Sequence, residues 1–348
     1  MARYHMYIGT YTTKGGKGIE HYLFDNTSGG FAFCEAVDAP NPSYLTFSPD
    51  GKKLYACLEA NLYDGMGGLA SYDVAEDGSL TETSRESAAG AAPCHLLVHP
   101  SGKVLYAANY VSGSLTQFTL KEDGTLGQRT VFQHVGSGIN PVRQEGPHAH
   151  CTVLMPGNRT LCVVDLGLDG ILCYPLDENG LVSGEARKVD APAGSGPRHM
   201  VFSADGTRAY VVCELGNRIL TYKVEGEAMT LLDDQNTLPE DFTGRSACAA
   251  LRLSADGTRL YLTNRFHDTL AVFAIDKEGM LTRLALVSTG GANPRDCTLA
   301  PEGGYILCAH QDSDQVTILK PDAEGLPTLL PTSIAASMPV AVLFGAEA

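Results

Sequence analysis

The stretch Pro197-Arg-His-Met-Val-Phe-Ser-Ala-Asp-Gly-Thr-Arg-Ala-Tyr-Val-Val-Cys-Glu-Leu215 decides the architecture. An apolar run enters a Ser-Ala-Asp-Gly turn, and a second run rich in Val, Tyr and Cys leaves it. Asp supplies a side-chain acceptor to the turn and Gly tolerates positive φ, so the stretch reads as a β-hairpin. The pattern occurs five more times: PSYLTFSPDGKKLYACLE from Pro42, PCHLLVHPSGKVLYAANY from Pro93, AHCTVLMPGNRTLCVVDL from Ala149, CAALRLSADGTRLYLTNR from Cys248 and PRDCTLAPEGGYILCAHQ from Pro294. Aligned on Pro49, Pro100, Pro156, Ala204, Ala255 and Pro301, the copies stand 51, 56, 48, 51 and 46 residues apart. A period of this size marks an array of supersecondary units.

After each hairpin come two weaker strand signals, for example Ser114–Leu120 and 129–134 around a Glu-Asp-Gly turn. Four antiparallel strands in about 50 residues make one blade of a β-propeller, and no stretch shows the three- and four-residue apolar spacing of a helix. A pair of β-sandwiches or a β-helix is the rival architecture. The two chain ends remain. Residues 338–344 read as one strand, and 6–11, 18–24 and 31–37 as three more, so both termini together build a seventh blade and hide an open sheet edge. The expectation is an all-β, seven-bladed β-propeller forming a single domain over residues 1–348. The irregular pieces 136–147 and 236–246 are expected as loops over the mouth, where function concentrates.

The chain has 348 residues, 44% of them hydrophobic, with 25 Lys and Arg against 40 Asp and Glu. A formal charge of −15 argues against a nucleic-acid or anionic-membrane partner, because phosphate-binding surfaces need an excess of clustered Lys and Arg. An anionic small molecule must then meet a local cationic site. Residues 1–9 lack the apolar core of a signal peptide, and no apolar run reaches the ~18 residues of a membrane span, so the cytoplasm is the expected location. The ten cysteines are scattered without a CxxC pair and read as reduced, strand-filling residues. Oligomeric state is left open.

Antiparallel strands reflect about their turn, so a residue six before the anchor is expected beside one nine or ten after it. Six before stand Ser43, Cys94, His150, Arg198, Ala249 and Arg295. Ten after stand Glu59, Tyr110, Leu166, Glu214, Arg265 and Gln311, and one position earlier Asn109, Asp165, Asn264 and His310. Ionisable residues thus gather at the strand ends remote from the Asp-Gly turns, as at a binding mouth. Arg198, Arg265 and Arg295 offer planar forks for carboxylate or phosphate, while His150 and Glu214 can accept a proton. The bland alternative is that Arg and Glu merely pair to tie strand ends together. No GxSxG elbow is present, which leaves water as the simpler nucleophile. Glu59, Glu214, Asp165, Asn109 and Asn264 could in principle hold calcium, but arginines at the same rim would repel it, and no cofactor or metal is expected. His148 and His150 in Pro-His-Ala-His form a weak zinc motif without a third ligand.

These motifs, with Tyr-Ile-Gly-Thr-Tyr-Thr at 7–12, Gly-Pro-Arg-His-Met-Val-Phe at 196–202, Glu-Leu at 214–215 and Asn-Pro-Arg-Asp at 293–296, make the chain resemble the seven-bladed propeller lactonase family from residue 7 to 344. That family contains 6-phosphogluconolactonases and a carboxymuconate-lactonizing enzyme. The resemblance implies an active-site set of one His, two Arg and one Glu at His150, Arg198, Arg265 and Glu214, with His148 as the other candidate for the histidine. It implies hydrolysis of the 6-phosphogluconolactone ring in the pentose phosphate pathway without a metal. Water would be activated by His150 or Glu214, with Arg198 at the oxyanion. Arg295, His148, Tyr110, Asn109, Asp165 and Gln311 are the expected substrate contacts. Two other readings stay open: action on another anionic lactone such as a carboxymuconolactone, and a non-catalytic interaction platform whose rim aromatics would be Tyr11, Tyr110 and Phe266.

Overall fold

In the computed structural model, which describes residues 2–348, the turns form as their side chains dictate. Asp205 Oδ1 accepts from the Ser203 hydroxyl at 2.6 Å and from the Thr207 N–H at 3.0 Å, and Gly206 takes φ +71. Asp256 repeats this with Ser254 and Thr258 at 2.6 and 3.0 Å. The serine hydroxyl, followed by the backbone N–H, holds the Asp50, Asp205 and Asp256 carboxyls below the ordinary carboxylate range. Each turn therefore depends on an ionised aspartate.

Among the described residues the strands form seven four-stranded antiparallel sheets, so the fold is a seven-bladed β-propeller. The chain divides into two compact units: Met1–Asp38 with His199–Ala348, and Ala39–Arg198. The second unit holds three blades. Their strands are Tyr44–Phe47, Lys53–Tyr63, Met66–Val74 and Leu80–Ser87; then Pro93–Val98, Val104–Asn109, Ser114–Leu120 and Leu126–Gln133; then Ala149–Leu154, Thr160–Asp165, Gly170–Pro175 and Arg187–Asp190. Pro197–Phe202, which crosses the unit boundary, begins the next blade and is followed by Arg208–Cys213, Arg218–Glu225 and Ala228–Asn236. Two further blades start at Ala247–Leu253 and Pro294–Leu299. The last orders Pro339–Glu347, Arg3–Thr10, Ile19–Asp25 and Phe31–Val37 in one sheet. The C-terminal strand pairs antiparallel with the N-terminal one, Met6 facing Phe344 and Gly9 facing Ala341, as the leftover end signals predict.

Within each blade burial falls outward: Val104–Asn109 is buried throughout, whereas most of Leu126–Gln133 is exposed. Blades within a unit pack through apolar faces, such as Tyr55, Leu69, Leu96, Leu105 and Phe118 in one unit and Met6, Phe24, Leu307 and Ile318 in the other. The tyrosine that follows the hairpin turn in four of the repeats does a second job. Its hydroxyl donates to a glycine carbonyl in the outer turn of the next blade: Tyr55 to Gly124 at 2.8 Å, Tyr210 to Gly279 and Tyr261 to Gly325 at 2.9 Å, and Tyr106 to Gly180. The repeated Tyr is thus an inter-blade tie, which satisfies a polar group at the edge of an apolar layer.

All ten cysteines are free; nine are buried, and Cys34 on the outer strand Phe31–Val37 departs from the expected strand-filling role by being exposed. No helix among the described residues is long and apolar enough to cross a membrane.

Candidate active site

The reflection argument is off by one residue, and the offset carries the geometry. Asn109 faces Pro93, Asp165 faces Ala149 and His310 faces Pro294, so the residue seven before the anchor pairs with the one nine after. The residue six before is skipped by the ladder, with register shifts at Pro93/His95, Ala149/Cys151, Cys248/Leu251 and Pro294/Asp296. Cys94, His150, Ala249 and Arg295 therefore sit on β-bulges. A bulge re-aims its side chain relative to the regular alternation, and His150 and Arg295 stand at two of these positions.

In the unit Ala39–Arg198 the chemistry gathers on Tyr110. The His148 ring stacks on it at 4.6 Å and the His150 ring meets it edge-on at 5.6 Å. Arg143, from the irregular loop, donates to the Tyr110 hydroxyl at 3.0 Å. His148 Nδ1 lies 2.9 Å from the Tyr110 carbonyl oxygen; a carbonyl only accepts, so Nδ1 carries the proton. Nε2 then faces Glu145 at 3.3 Å. His148 and His150 are 8% and 5% exposed. Two glycines clamp the segment that delivers them. A Cβ on Gly113, whose φ is +57, would strike the Pro147 carbonyl, and one on Gly167 would strike that of Gly146.

Asn109 and Asp165, expected as substrate contacts, are instead fully buried framework residues. Asp165 accepts from His134 Nδ1 at 2.6 Å and from the N–H groups of His148 and Leu168 at 2.8 and 3.1 Å. Asn109 Nδ2 donates to Ser114 Oγ at 3.1 Å and to Thr116 Oγ1 at 2.9 Å. Both side chains are directed into the framework, with Asn109 Oδ1 buried and without a hydrogen-bond partner.

In the other unit, Glu214 follows strand Arg208–Cys213 and Arg265 ends strand Arg259–Arg265. Arg265 Nη2 and Glu214 Oε2 are 2.8 Å apart with both side chains under a tenth exposed, and Arg265 Nε donates to the Ala247 carbonyl at 3.3 Å. Burial pulls the Arg265 guanidinium below its ordinary pKa, the nearby charge of Arg295 adds to this, and Glu214 opposes it. Arg295 is half-buried with its guanidinium 5.5 Å from the centre of the Tyr11 ring. Gln311 donates its backbone N–H to Asn293 at 3.1 Å, while its Oε1 has no hydrogen-bond partner. His310 is fully buried against the Thr289 carbonyl and Thr317 hydroxyl, and burial pushes its pKa down to about 4. Arg198, the last residue of the unit Ala39–Arg198, is 3% exposed on strand Pro197–Phe202. No three His, Cys, Asp or Glu side chains among the described residues converge as a metal site.

Sequence reasoning missed the supporting groups. Asp268 accepts the N–H groups of Phe266 and Asn293 at 3.0 and 2.8 Å, locking Phe266 at φ +68. An aromatic residue in that region stores about 1–3 kcal/mol of strain. Arg245 stacks on the Phe266 ring at 3.7 Å, and Phe242 meets His267 edge-on at 4.7 Å. Only Phe266 was visible beforehand, as a rim aromatic; the loop residues carry no repeat signal.

Residues 5–344 match the family described as Lactonase, 7-bladed beta-propeller. The chain is 33% identical over 351 residues to a 6-phosphogluconolactonase of Bacillus subtilis, covering 99% of each. It is 31% identical over 329 residues to a 6-phosphogluconolactonase of Formosa agariphila, covering 92% of this chain and 93% of the other. Among solved structures, the periplasmic gluconolactonase of Pseudomonas aeruginosa superposes with a TM-score of 0.94 at 32% identity, covering 99% of this chain and 100% of that one. With matches spanning nearly its whole length, the chain belongs to the seven-bladed β-propeller lactonase family.

Proposed function

We propose that this lactonase hydrolyses the δ-lactone of 6-phosphogluconate, its whole length acting as one domain. The observation that carries the reading is the arginine-rich end of the Met1–Asp38 and His199–Ala348 unit, where Arg265 is held by Glu214 at 2.8 Å with Arg295 near enough to lower its pKa. Two guanidinium groups against one carboxylate leave this end locally positive in a chain of charge −15, which suits an anionic substrate. The names of the Bacillus and Formosa relatives support the same substrate.

Lactone opening needs a nucleophile at the carbonyl and donors for the oxyanion that develops there. His150 is the better base. Glu214 is already engaged by Arg265 at 2.8 Å, whereas an imidazole ordinarily titrates near neutrality and suits proton transfer. His150 would take a proton from water, and Arg198 would donate to the oxyanion. Glu214 would then serve as the positioning residue for Arg265. Arg295, Gln311, His148 and Tyr110 are proposed to contact the sugar. Water attack on the carbonyl carbon forms the new C–O bond and the oxyanion, whose collapse breaks the ring C–O bond, and the ring oxygen leaves as a hydroxyl carrying the proton that His150 took from water.

The test is a coupled assay of purified protein on freshly prepared 6-phosphoglucono-δ-lactone and on glucono-δ-lactone. Preference for the phosphorylated ring supports the reading. Equal turnover, or turnover of an unsaturated carboxylated lactone alone, would replace it with a different lactone substrate.

A further inference from the structure

Arg245 is the cation that the sequence columns did not collect. It lies in the segment 237–246 between two strands, exposed, with its guanidinium 3.7 Å from the centre of the Phe266 ring. Among the described residues it meets no carboxylate at ion-pair distance, in contrast to Arg265, whose charge Glu214 offsets at 2.8 Å. Its place is built. Phe266 directly follows Arg265, and Ala247, two residues after Arg245, is the strand partner of Arg265 and accepts from its Nε. The base of the segment is tied where Arg283 donates to the Leu238 carbonyl at 2.7 Å, and its middle where Phe242 meets His267. The strained φ of Phe266, maintained by Asp268, is what turns the ring under Arg245.

A guanidinium stacked on an aromatic face keeps its N–H edge free, and the stacking removes much of the rotamer freedom that binding would otherwise cost. Resting on the substrate class proposed above, one further step follows. In a δ-lactone the carboxyl is masked as an ester, so the charge present before ring opening is that of the phosphomonoester. We propose that Arg245, seated on Phe266, is the recognition group for that phosphomonoester, and that Arg265, neutralised by Glu214, is not.

Steady-state kinetics on both lactones and equilibrium titration with 6-phosphogluconate and with gluconate test this in wild type, Arg245→Gln, Arg245→Lys and Phe266→Leu. Arg245→Gln should lower the preference for the phosphorylated lactone by about 10- to 100-fold, mainly through KM, and weaken 6-phosphogluconate binding to match. Arg245→Lys should recover part of the loss, since the charge returns without the fork. Phe266→Leu should fall between, because the platform is lost while the charge stays. An unchanged preference and unchanged 6-phosphogluconate affinity in Arg245→Gln would overturn the proposal, as would equal losses on both lactones or a wild type that does not bind 6-phosphogluconate. If the wild type turns over neither lactone yet Arg245→Gln still weakens 6-phosphogluconate binding, the phosphate site stands and the lactonase substrate reading falls.

Discussion

Arg265 and Glu214 define what a single substitution can report. Both are nearly buried and 2.8 Å apart, so Arg265→Gln leaves a carboxylate without its partner in a poorly solvated place. Breaking a buried pair from one side typically costs about 3–5 kcal/mol of stability. The double variant Arg265→Gln with Glu214→Gln should recover most of that stability, measured by urea denaturation, yet not the activity. Recovery of both would assign the pair to the framework alone. Arg129, exposed on an outer strand with Glu86 at 4.0 Å, serves as the control, and Arg129→Gln should change neither stability nor kcat/KM by more than about 0.5 kcal/mol. His310 makes a pH prediction. Burial lowers its pKa from 6.5 to about 4 in the folded protein. Above pH 6.5 neither state takes the proton and its contribution is intact. As pH falls from 6.5 toward 4 the unfolded chain binds a proton that the folded site refuses, so stability declines, by at most about 3 kcal/mol. His310→Gln should flatten the dependence of Tm on pH across that window, and an unchanged slope would point to other groups.

At the scale of the strand, the recurrent tyrosine and the terminal strand bear most on stability. Tyr210→Phe removes the hydroxyl that reaches Gly279 at 2.9 Å and leaves a carbonyl at the blade junction without that donor. A loss of about 1 kcal/mol is expected by chemical denaturation. Removing residues 339–348 is a larger insult. It strips Arg3–Thr10 of one ladder partner and uncovers the cluster of Met6, Ile8 and Phe24, with Phe24 losing its edge-on contact to Phe344 at 5.3 Å. Such a truncation should aggregate or elute as higher oligomers in size-exclusion chromatography. A truncated chain that stays monomeric at an unchanged Tm would show that this closure is dispensable.

For the molecule as a whole, two of the oxygen groups that might have served an ion are already committed. Asp165 is consumed by His134 and two backbone N–H groups, and Asn264 Oδ1 accepts from the Thr237 hydroxyl at 2.9 Å. Activity should therefore survive dialysis against a strong chelator, with kcat/KM within about twofold of the untreated enzyme. Loss restored by calcium alone would return the carboxylates to a ligand role.

The strands and their grouping were legible in the chain because their causes are local. An Asp-Gly turn and the apolar runs on either side of it act over a few neighbours, and the repeat near 50 residues counts the units they build, so the seven blades and the pairing of the two termini followed from the sequence alone. The column argument also gathered, at one end of the hairpins, the residues proposed above as the functional set. What it could not find was the bulge that displaces His150 and Arg295 by one position, because a skipped residue looks the same in sequence as a paired one. It could not tell Asp165, turned inward to His134, from Glu214, turned to Arg265. Nor could it find Arg245 on Phe266. Those distinctions depend on which groups meet across strands tens of residues apart, and only packing of the folded chain settles which donors are consumed and which remain to bind.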